Sequence, residues 1–116
     1  MKKIALFFAA VPLAFLSSCG TTSLYNWSSY TNDTYQYVKK GDDESSGKLL
    51  ETYQKIIDDQ QKTVRQTVPP GIYGDYGYFL VKAGKIEEGK EFLNKEKELY
   101  PESALFIDSI LKKIGD

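Results

Sequence analysis

Residues 70–101 read PGIYGDYGYFLVKAGKIEEGKEFLNKEKELYP and contain the clearest structural pattern in the chain. Pro70 can open a helix and Pro101 stops one, because proline lacks a backbone N–H and fits only the first helical turn. Gly84 lies in a short turn and suits the position just after a helix end. The stretch therefore predicts two helices joined by that turn, at about 70–83 and 86–100.

The spacing of aromatic, small and proline residues here resembles the tetratricopeptide repeat, a 34-residue helix–turn–helix unit. The matching positions are Tyr73, Gly77, Leu80, Gly84, Gly89, Leu93 and Pro101. Tyr76 and Glu96 depart from the repeat, which commonly has leucine and alanine there. The resemblance implies that the two helices approach closely at Gly77 and Gly89, which offsets the ~1 kcal/mol that a glycine costs in a helix.

Apolar periodicity predicts three further helices, at about 24–38, 46–66 and 102–114. Their expected inward stripes are Trp27, Tyr30, Thr34 and Val38 in the first, Leu49, Tyr53, Ile56, Ile57, Gln60 and Val64 in the second, and Ile107, Ile110, Leu111 and Ile114 in the last. In the helix at 86–100 the inward set is Ile86, Gly89, Leu93 and Tyr100.

The segment GDDESSG, residues 41–47, is expected to be a polar loop between the first two helices. Trp27 and Tyr73 are too far apart for a standard repeat period, so the first hairpin is an irregular repeat. The predicted fold is all-α, with tetratricopeptide-like helical hairpins, about five helices and a C-terminal capping helix.

The N-terminus has the charge order of a secretory signal peptide. Lys2 and Lys3 precede thirteen largely apolar residues, Ile4–Leu16, and the small residues Ser17 and Ser18 follow. As a helix this apolar run would rise only ~20 Å, short of the ~30 Å hydrocarbon core of a membrane. A permanent transmembrane helix is therefore not expected.

The four residues Leu16-Ser17-Ser18-Cys19 resemble the bacterial lipobox, and Cys19 is the only cysteine of the chain. The resemblance implies cleavage between Ser18 and Cys19, a diacylglyceryl group on the Cys19 sulfur and an N-acyl group on the new amino terminus. Gly20 stands where aspartate would retain the protein in the inner membrane. An ordinary signal peptide with a chance cysteine is the alternative.

These motifs divide the chain into a lipoprotein signal peptide at 1–18, a lipidated tether at 19–23 and an α-helical domain at 24–116. The implied location is the outer membrane of a Gram-negative bacterium, on its periplasmic face. Several acyl chains together hold a protein to a membrane far more firmly than one.

Composition excludes several classes of function. From Cys19 onward the chain has 13 basic and 16 acidic residues, since two of the 15 basic residues are Lys2 and Lys3, and this excess of acid argues against nucleic-acid binding. The chain contains no histidine, which removes the usual general base and zinc ligand. Asp58 and Asp59 are adjacent on a helix, so their carboxylates would diverge. We therefore expect no enzyme, no metal site, no cofactor beyond the lipid and no small-molecule substrate; two carboxylates in one deep pocket would be a reason to reconsider.

The nine tyrosines are the other compositional feature. Tyr30, Tyr53, Tyr73 and Tyr76 fall on the expected inward stripes and are interpreted as packing residues. The repeat analogy instead places a second set on the concave face, where rigid amphipathic aromatics favour a partner. This candidate partner-binding face consists of Tyr25, Asn32, Tyr35, Tyr78 and Lys82.

Three motifs resemble a small, uncharacterised family of bacterial outer-membrane lipoproteins that contain a domain of unknown function. They are Leu24–Tyr30 (LYNWSSY), Pro69–Gly71 (PPG) and Glu96–Ser103 (EKELYPES). Genes of this family often lie beside lipoproteins that resemble the curli secretion channel. The resemblance implies a protein-binding accessory or assembly factor in an outer-membrane lipoprotein complex, whose partners are outer-membrane or periplasmic proteins. The alternative is a peptidoglycan-directed lipoprotein that binds the wall or regulates its synthesis.

Overall fold

The computed structural model of the protein describes Gly20 and residues 22–115, and within them the chain forms five α-helices and no strand. The helices are α1 (Tyr30–Lys40), α2 (Asp43–Asp58), α3 (Ile72–Lys82), α4 (Ile86–Leu99) and α5 (Ala104–Gly115), with short 3-10 turns at Gln60–Lys62 and Pro101–Ser103. The all-α prediction with a C-terminal helix is confirmed. The predicted signal peptide, the cleavage site and Cys19 lie outside the described residues. Among the described helices, none has the length and apolar character that crossing a membrane requires.

The helices α3 and α4 form a tightly packed antiparallel pair. The turn between them contains Gly84 in the left-handed region, at φ +86°. A Cβ on Gly77 would lie 2.7 Å from the Gly89 carbonyl oxygen, and a Cβ on Gly89 would lie 2.6 Å from the Gly77 carbonyl oxygen. Real Cβ atoms do not approach this closely. The expectation that Gly77 and Gly89 mark the close approach is confirmed.

The prediction of a polar loop across residues 41–47 is wrong after Asp42. Gly41, at φ +62°, ends α1 by donating its N–H to the Tyr37 carbonyl oxygen at 2.8 Å. The Asp42 side chain then accepts the Ser45 N–H at 2.8 Å and caps α2. The remaining residues of the segment are the first turn of α2, where acidic side chains favour the positive end of the helix dipole.

A buried carboxylate joins α1 to α2. Asp33 is only 1 % exposed and accepts hydrogen bonds from the hydroxyls of Ser29 and Thr52 and from the Asn32 amide. Burial opposes ionisation of Asp33, but these hydrogen bonds outweigh it and hold its pKa below the ordinary value. Asp33 is thus a structural group inside the first hairpin.

The predicted helix at 24–38 is wrong for its first six residues, because α1 begins at Tyr30. Before it, the carbonyl oxygens of Ser23 and Leu24 accept the N–H groups of Val64 at 3.1 Å and Arg65 at 3.2 Å. These bonds hold the N-terminal segment, which bends at Leu24 and Tyr25, against the chain that follows α2. The helix α2 ends at Asp58, earlier than expected, and the 3-10 turn Gln60–Lys62 leads from it to Val64 and Arg65.

The core lies mainly between α2 and α3. Its buried members are Leu49, Tyr53, Ile56, Val68, Ile72, Tyr76 and Leu80. Four residues that the sequence places inward are exposed, so those assignments are wrong: Trp27, Val38, Val64 and Ile86. Trp27 and Val64 lie outside the α-helices, whereas Val38 and Ile86 lie near helix ends.

The packing interpretation of four tyrosines is confirmed. Ring centroids of Tyr30 and Tyr53 lie 6.0 Å apart, and those of Tyr53 and Tyr76 lie 6.3 Å apart. Tyr76 and Tyr73 each contact Phe92 of α4, at centroid distances of 4.7 and 5.9 Å. Aromatic rings therefore link α1, α2, α3 and α4 through one continuous set of contacts.

Candidate functional site

A groove of about 540 Å³ lies between α3 and α5, with one residue of α4 at its base. Ile107 of α5 is buried, and Lys97 of α4 pairs with Asp108 of α5 at 2.6 Å. These contacts position α5 beside the α3–α4 pair. The residues that line the groove are Gly71, Gly74, Asp75, Tyr78, Glu96, Ser103, Phe106, Ile107, Ile110, Lys113 and Ile114.

The base of the groove contains the buried carboxylate of Glu96. Its Oε1 accepts the Gly71 N–H at 2.7 Å and its Oε2 accepts the Gly74 N–H at 3.3 Å. Gly71 adopts φ +94°, which only glycine favours, and offers no side chain to cap α3. Glu96 therefore supplies the cap from the neighbouring helix. Burial raises its pKa, although the backbone hydrogen bonds partly oppose that rise.

A second carboxylate, Asp75, lies on α3 beside the groove. Its Oδ2 accepts the hydroxyls of Tyr30 at 3.3 Å and Tyr53 at 3.4 Å. Within residues 22–115, its Oδ1 has no hydrogen-bond donor and no Lys or Arg nitrogen lies within 4.0 Å of it. Burial raises the pKa of Asp75, and the two tyrosine hydroxyls partly oppose this. An incompletely paired carboxylate thus borders a mainly apolar groove, whose other charged lining residues are Glu96 and Lys113.

The sides of the groove are apolar and open to solvent. Phe106 is 67 % exposed, Tyr78 is 45 % exposed, and Ile110 and Ile114 are half-buried. A small domain rarely leaves such large apolar side chains together on its surface unless they meet another molecule. The groove is accordingly the strongest candidate for a functional site.

Two carboxylates in one pocket are the feature that would reopen the question of an enzyme, so their chemistry matters. An acid–base pair needs a carboxyl group that is free to exchange a proton with the reacting atom. Both oxygens of Glu96 already accept α3 backbone N–H groups, so using it would break the cap. Asp75 alone has an oxygen available, and a single carboxylate among apolar side chains suits the binding of a cation.

The structure divides the candidate partner-binding face. Tyr78 lines the groove, and the Lys82 ammonium lies 5.6 Å from the centre of its ring, so these two are together. Tyr25 lines a different cavity, with Trp27 and Lys62. On α1, Asn32 donates its amide to Asp33, and Tyr35 is exposed beneath Lys39, whose Nζ lies 5.9 Å from the ring centre.

The sequence interpretation missed the carboxylates and the α5 contribution to the groove. The sequence does indicate that Glu96 is buried, because Glu96 lies on the same stripe as Gly89, Leu93 and Tyr100. It is also charged where the repeat has alanine. For Asp75 the indication is weaker: it is the single acidic residue of α3. Phe106 was not separable from core residues by periodicity alone.

No curated protein and no solved structure matches the chain. One protein family does match, over residues 24–110, and its description is a domain of unknown function, DUF4810. The matched residues include α1 to α4, most of α5 and both carboxylates of the groove. The chain therefore belongs to the DUF4810 family.

Proposed function

We propose that the protein is a non-enzymatic lipoprotein of the outer membrane that faces the periplasm and binds other envelope proteins, as an accessory or assembly factor. The observation that carries the proposal is the apolar groove between α3 and α5, with the incompletely paired Asp75 carboxylate beside it. The lipobox resemblance of Leu16–Cys19 supports the membrane location. Lipoproteins like the curli secretion channel are the partner class that the family resemblance implies.

The groove has the dimensions and lining of a peptide site. Its volume falls within the usual range for ligand pockets, and apolar side chains dominate its lining. A partner segment would bury apolar side chains against Phe106, Ile110 and Tyr78. The same segment would need a Lys or Arg side chain for Asp75, because a desolvated carboxylate without a cation is costly. The proposed occupant is therefore an amphipathic segment with one basic residue among apolar ones.

The helix order supports this assignment. In tetratricopeptide-like arrays the first helices of successive hairpins line a concave binding surface. Here α3 is the first helix of the α3–α4 hairpin and α5 is the next helix in that series. A groove between α3 and α5 occupies the corresponding position in such an array.

Site-specific crosslinking in living cells tests the proposal. A p-benzoylphenylalanine at position 106 replaces one aromatic side chain with another inside the groove. The same residue at position 38 of α1 is the matched control, because Val38 is 76 % exposed and does not line the groove. We expect a defined protein adduct from position 106 only, mapping to a segment with a basic residue among apolar ones.

Second-site variants sharpen the result. Asp75→Asn keeps an oxygen for the tyrosine hydroxyls but removes the charge, so the adduct at position 106 should decrease. Tyr78→Ala should decrease it as well, whereas Tyr35→Ala should not. Equal adducts from positions 106 and 38 would contradict the proposal. The purified protein can also be sedimented with peptidoglycan sacculi. If it sediments with them, and Asp75→Asn does so equally, the result would favour the wall-directed alternative.

A further inference from the structure

The chain enters the domain beside the segment that follows α2. The carbonyl oxygens of Ser23 and Leu24 accept the N–H groups of Val64 and Arg65, at 3.1 and 3.2 Å. These two bonds fix the position of the N-terminal segment on the folded domain. Ser23 and Leu24 therefore lie beside Val64 and Arg65.

The two paired segments expose several large apolar side chains. Leu24 is 56 % exposed, Val64 is 57 % exposed and Trp27 is 44 % exposed. The Tyr25 ring lies between Trp27, at a centroid distance of 6.4 Å, and the Arg65 guanidinium, 5.9 Å from its centre. We call the set Leu24, Tyr25, Trp27, Lys62, Val64 and Arg65 the tether face.

The charged members of the tether face are basic. Lys62 pairs with Asp59 at 2.6 Å, and both line the cavity that Tyr25 and Trp27 also line. Within residues 22–115, Arg65 has no carboxylate oxygen within 4.0 Å. The guanidinium can therefore pair with an anion outside the domain, and its planar donors match a phosphate group.

Cys19 is only five residues before Leu24. An extended chain covers at most about 3.5 Å per residue, so five residues can separate the Cα atoms of Cys19 and Leu24 by no more than roughly 18 Å. A lipid on that sulfur would keep the tether face at the membrane surface. Tryptophan and tyrosine favour this interfacial region, because one end of each side chain is apolar and the other forms hydrogen bonds.

We propose that the tether face docks into the headgroup region of the membrane that holds the Cys19 lipid, an inference that rests on the lipid anchor of the proposed function. Leu24, Trp27 and Val64 enter the boundary between headgroups and acyl chains, and Arg65 pairs with a lipid phosphate. Docking gives the domain one orientation on the membrane, where a flexible tether alone would leave it free to rotate.

Trp27 is the only tryptophan and Cys19 the only cysteine of the chain, which permits a direct test. The whole proposed mature chain, residues 19–116, is coupled through Cys19 to a maleimide lipid. The vesicles contain phosphatidylethanolamine, phosphatidylglycerol and a phosphatidylcholine brominated on its acyl chains. We expect Trp27 emission to shift to shorter wavelength and to lose intensity by bromine quenching.

Matched variants identify the surface responsible. Leu24→Ser combined with Val64→Ser should reduce both the shift and the quenching. Val38→Ser removes a still more exposed apolar side chain from α1 and should leave both unchanged. Arg65→Gln should weaken quenching in vesicles with phosphatidylglycerol more than in vesicles without it. Circular dichroism of each variant confirms that the helices persist, so that a lost signal reports docking.

The outcomes separate this inference from the proposed function. Unquenched Trp27 emission in the coupled protein, or quenching that Val38→Ser reduces as much as Leu24→Ser with Val64→Ser, overturns docking. A shift to shorter wavelength without quenching means that protein covers the face, which also overturns it. Because the lipid is coupled chemically, the result does not depend on whether cells modify Cys19 or on whether the groove binds a partner.

Discussion

The backbone N–H of Gly71, just before α3, donates to the Glu96 carboxylate of α4 at 2.7 Å. This bond joins the start of one helix to the last turn of the next, at the base of the groove between α3 and α5. Positive φ at Gly71 and the absence of a capping side chain there make the bond necessary. The geometry of the candidate site thus depends on a buried acid whose first role is structural.

Removing the Glu96 carboxylate should destabilise the domain. Glu96→Ala leaves the Gly71 and Gly74 N–H groups without their acceptor, and such losses cost roughly 1–3 kcal/mol each when the donors are buried. Glu96→Gln retains one acceptor oxygen and should cost less than Glu96→Ala. Urea denaturation measures the difference. The exposed Glu98→Ala, also on α4, is the control, and a loss there equal to that of Glu96→Ala would contradict the capping role.

Stability should depend on pH in two opposite ways. The pKa values of Glu96 and Asp75 are raised above their ordinary values of 4.5 and 3.8, so the folded state holds more protons than the unfolded state between the ordinary and raised values. The contribution of these two groups to the free energy of unfolding is complete at pH values below their ordinary pKa values. It is lost as the pH rises through their raised pKa values. Lowering the pH from neutral toward 4.5 should therefore increase the free energy of unfolding.

The contribution of Asp33 to stability depends on pH in the opposite sense, and it changes at lower pH. Its pKa lies below the ordinary 3.8, so its stabilising contribution is present above 3.8 and is lost as pH falls through the lower value. Urea denaturation at several pH values checks both parts. Asp75→Asn with Glu96→Gln should flatten the rise between neutral pH and 4.5 and leave the acid-side loss in place. A rise of unchanged size in this double variant would rule out these two groups as its cause.

The α3–α4 pair could be predicted from sequence because its determinants are local. Gly77, Gly89 and Pro101 specify the close approach and the helix end without reference to distant residues. Asp42 shows the limit of the same logic: residues 41–47 look like a loop by composition, yet Asp42 caps α2 and its neighbours favour a helix N-terminus. A capping analysis of this segment would have corrected the boundary.

The groove could not be predicted, because its parts come from three helices whose relative positions depend on packing. Periodicity places Ile107 and Ile110 on one stripe of α5, but only Ile107 is buried. Asp75 accepts hydroxyls from tyrosines 45 and 22 residues away in the chain, which no local pattern encodes. Residues 24–29 have helical spacing, yet the Leu24 carbonyl oxygen accepts the Arg65 N–H, and that of Ser23, just before them, accepts the Val64 N–H.

Two glycine substitutions should have opposite effects on stability. Gly77→Ala places a Cβ 2.7 Å from the Gly89 carbonyl oxygen, so α3 and α4 must separate, at a cost of roughly 1–3 kcal/mol or more. Gly47→Ala, within α2, meets no atom within 4 Å and should stabilise the domain by up to ~1 kcal/mol through helix propensity. Thermal unfolding followed by circular dichroism measures both. A destabilising Gly47→Ala, or a neutral Gly77→Ala, would contradict the packing described for these helices.

Cys19 should determine whether the protein is anchored to the membrane. Cys19→Ala removes the sulfur that would carry the diacylglyceryl group, so the protein should accumulate as an uncleaved precursor or in soluble form. Gly20→Asp is the matched variant: it keeps Cys19 and lipidation but introduces the residue that the lipobox resemblance associates with retention in the inner membrane. Fractionation of the two membranes, with mass spectrometry of the purified protein, distinguishes these states. If Cys19→Ala still reached the outer membrane with the mass of residues 19–116 plus lipid, the lipobox interpretation would be wrong.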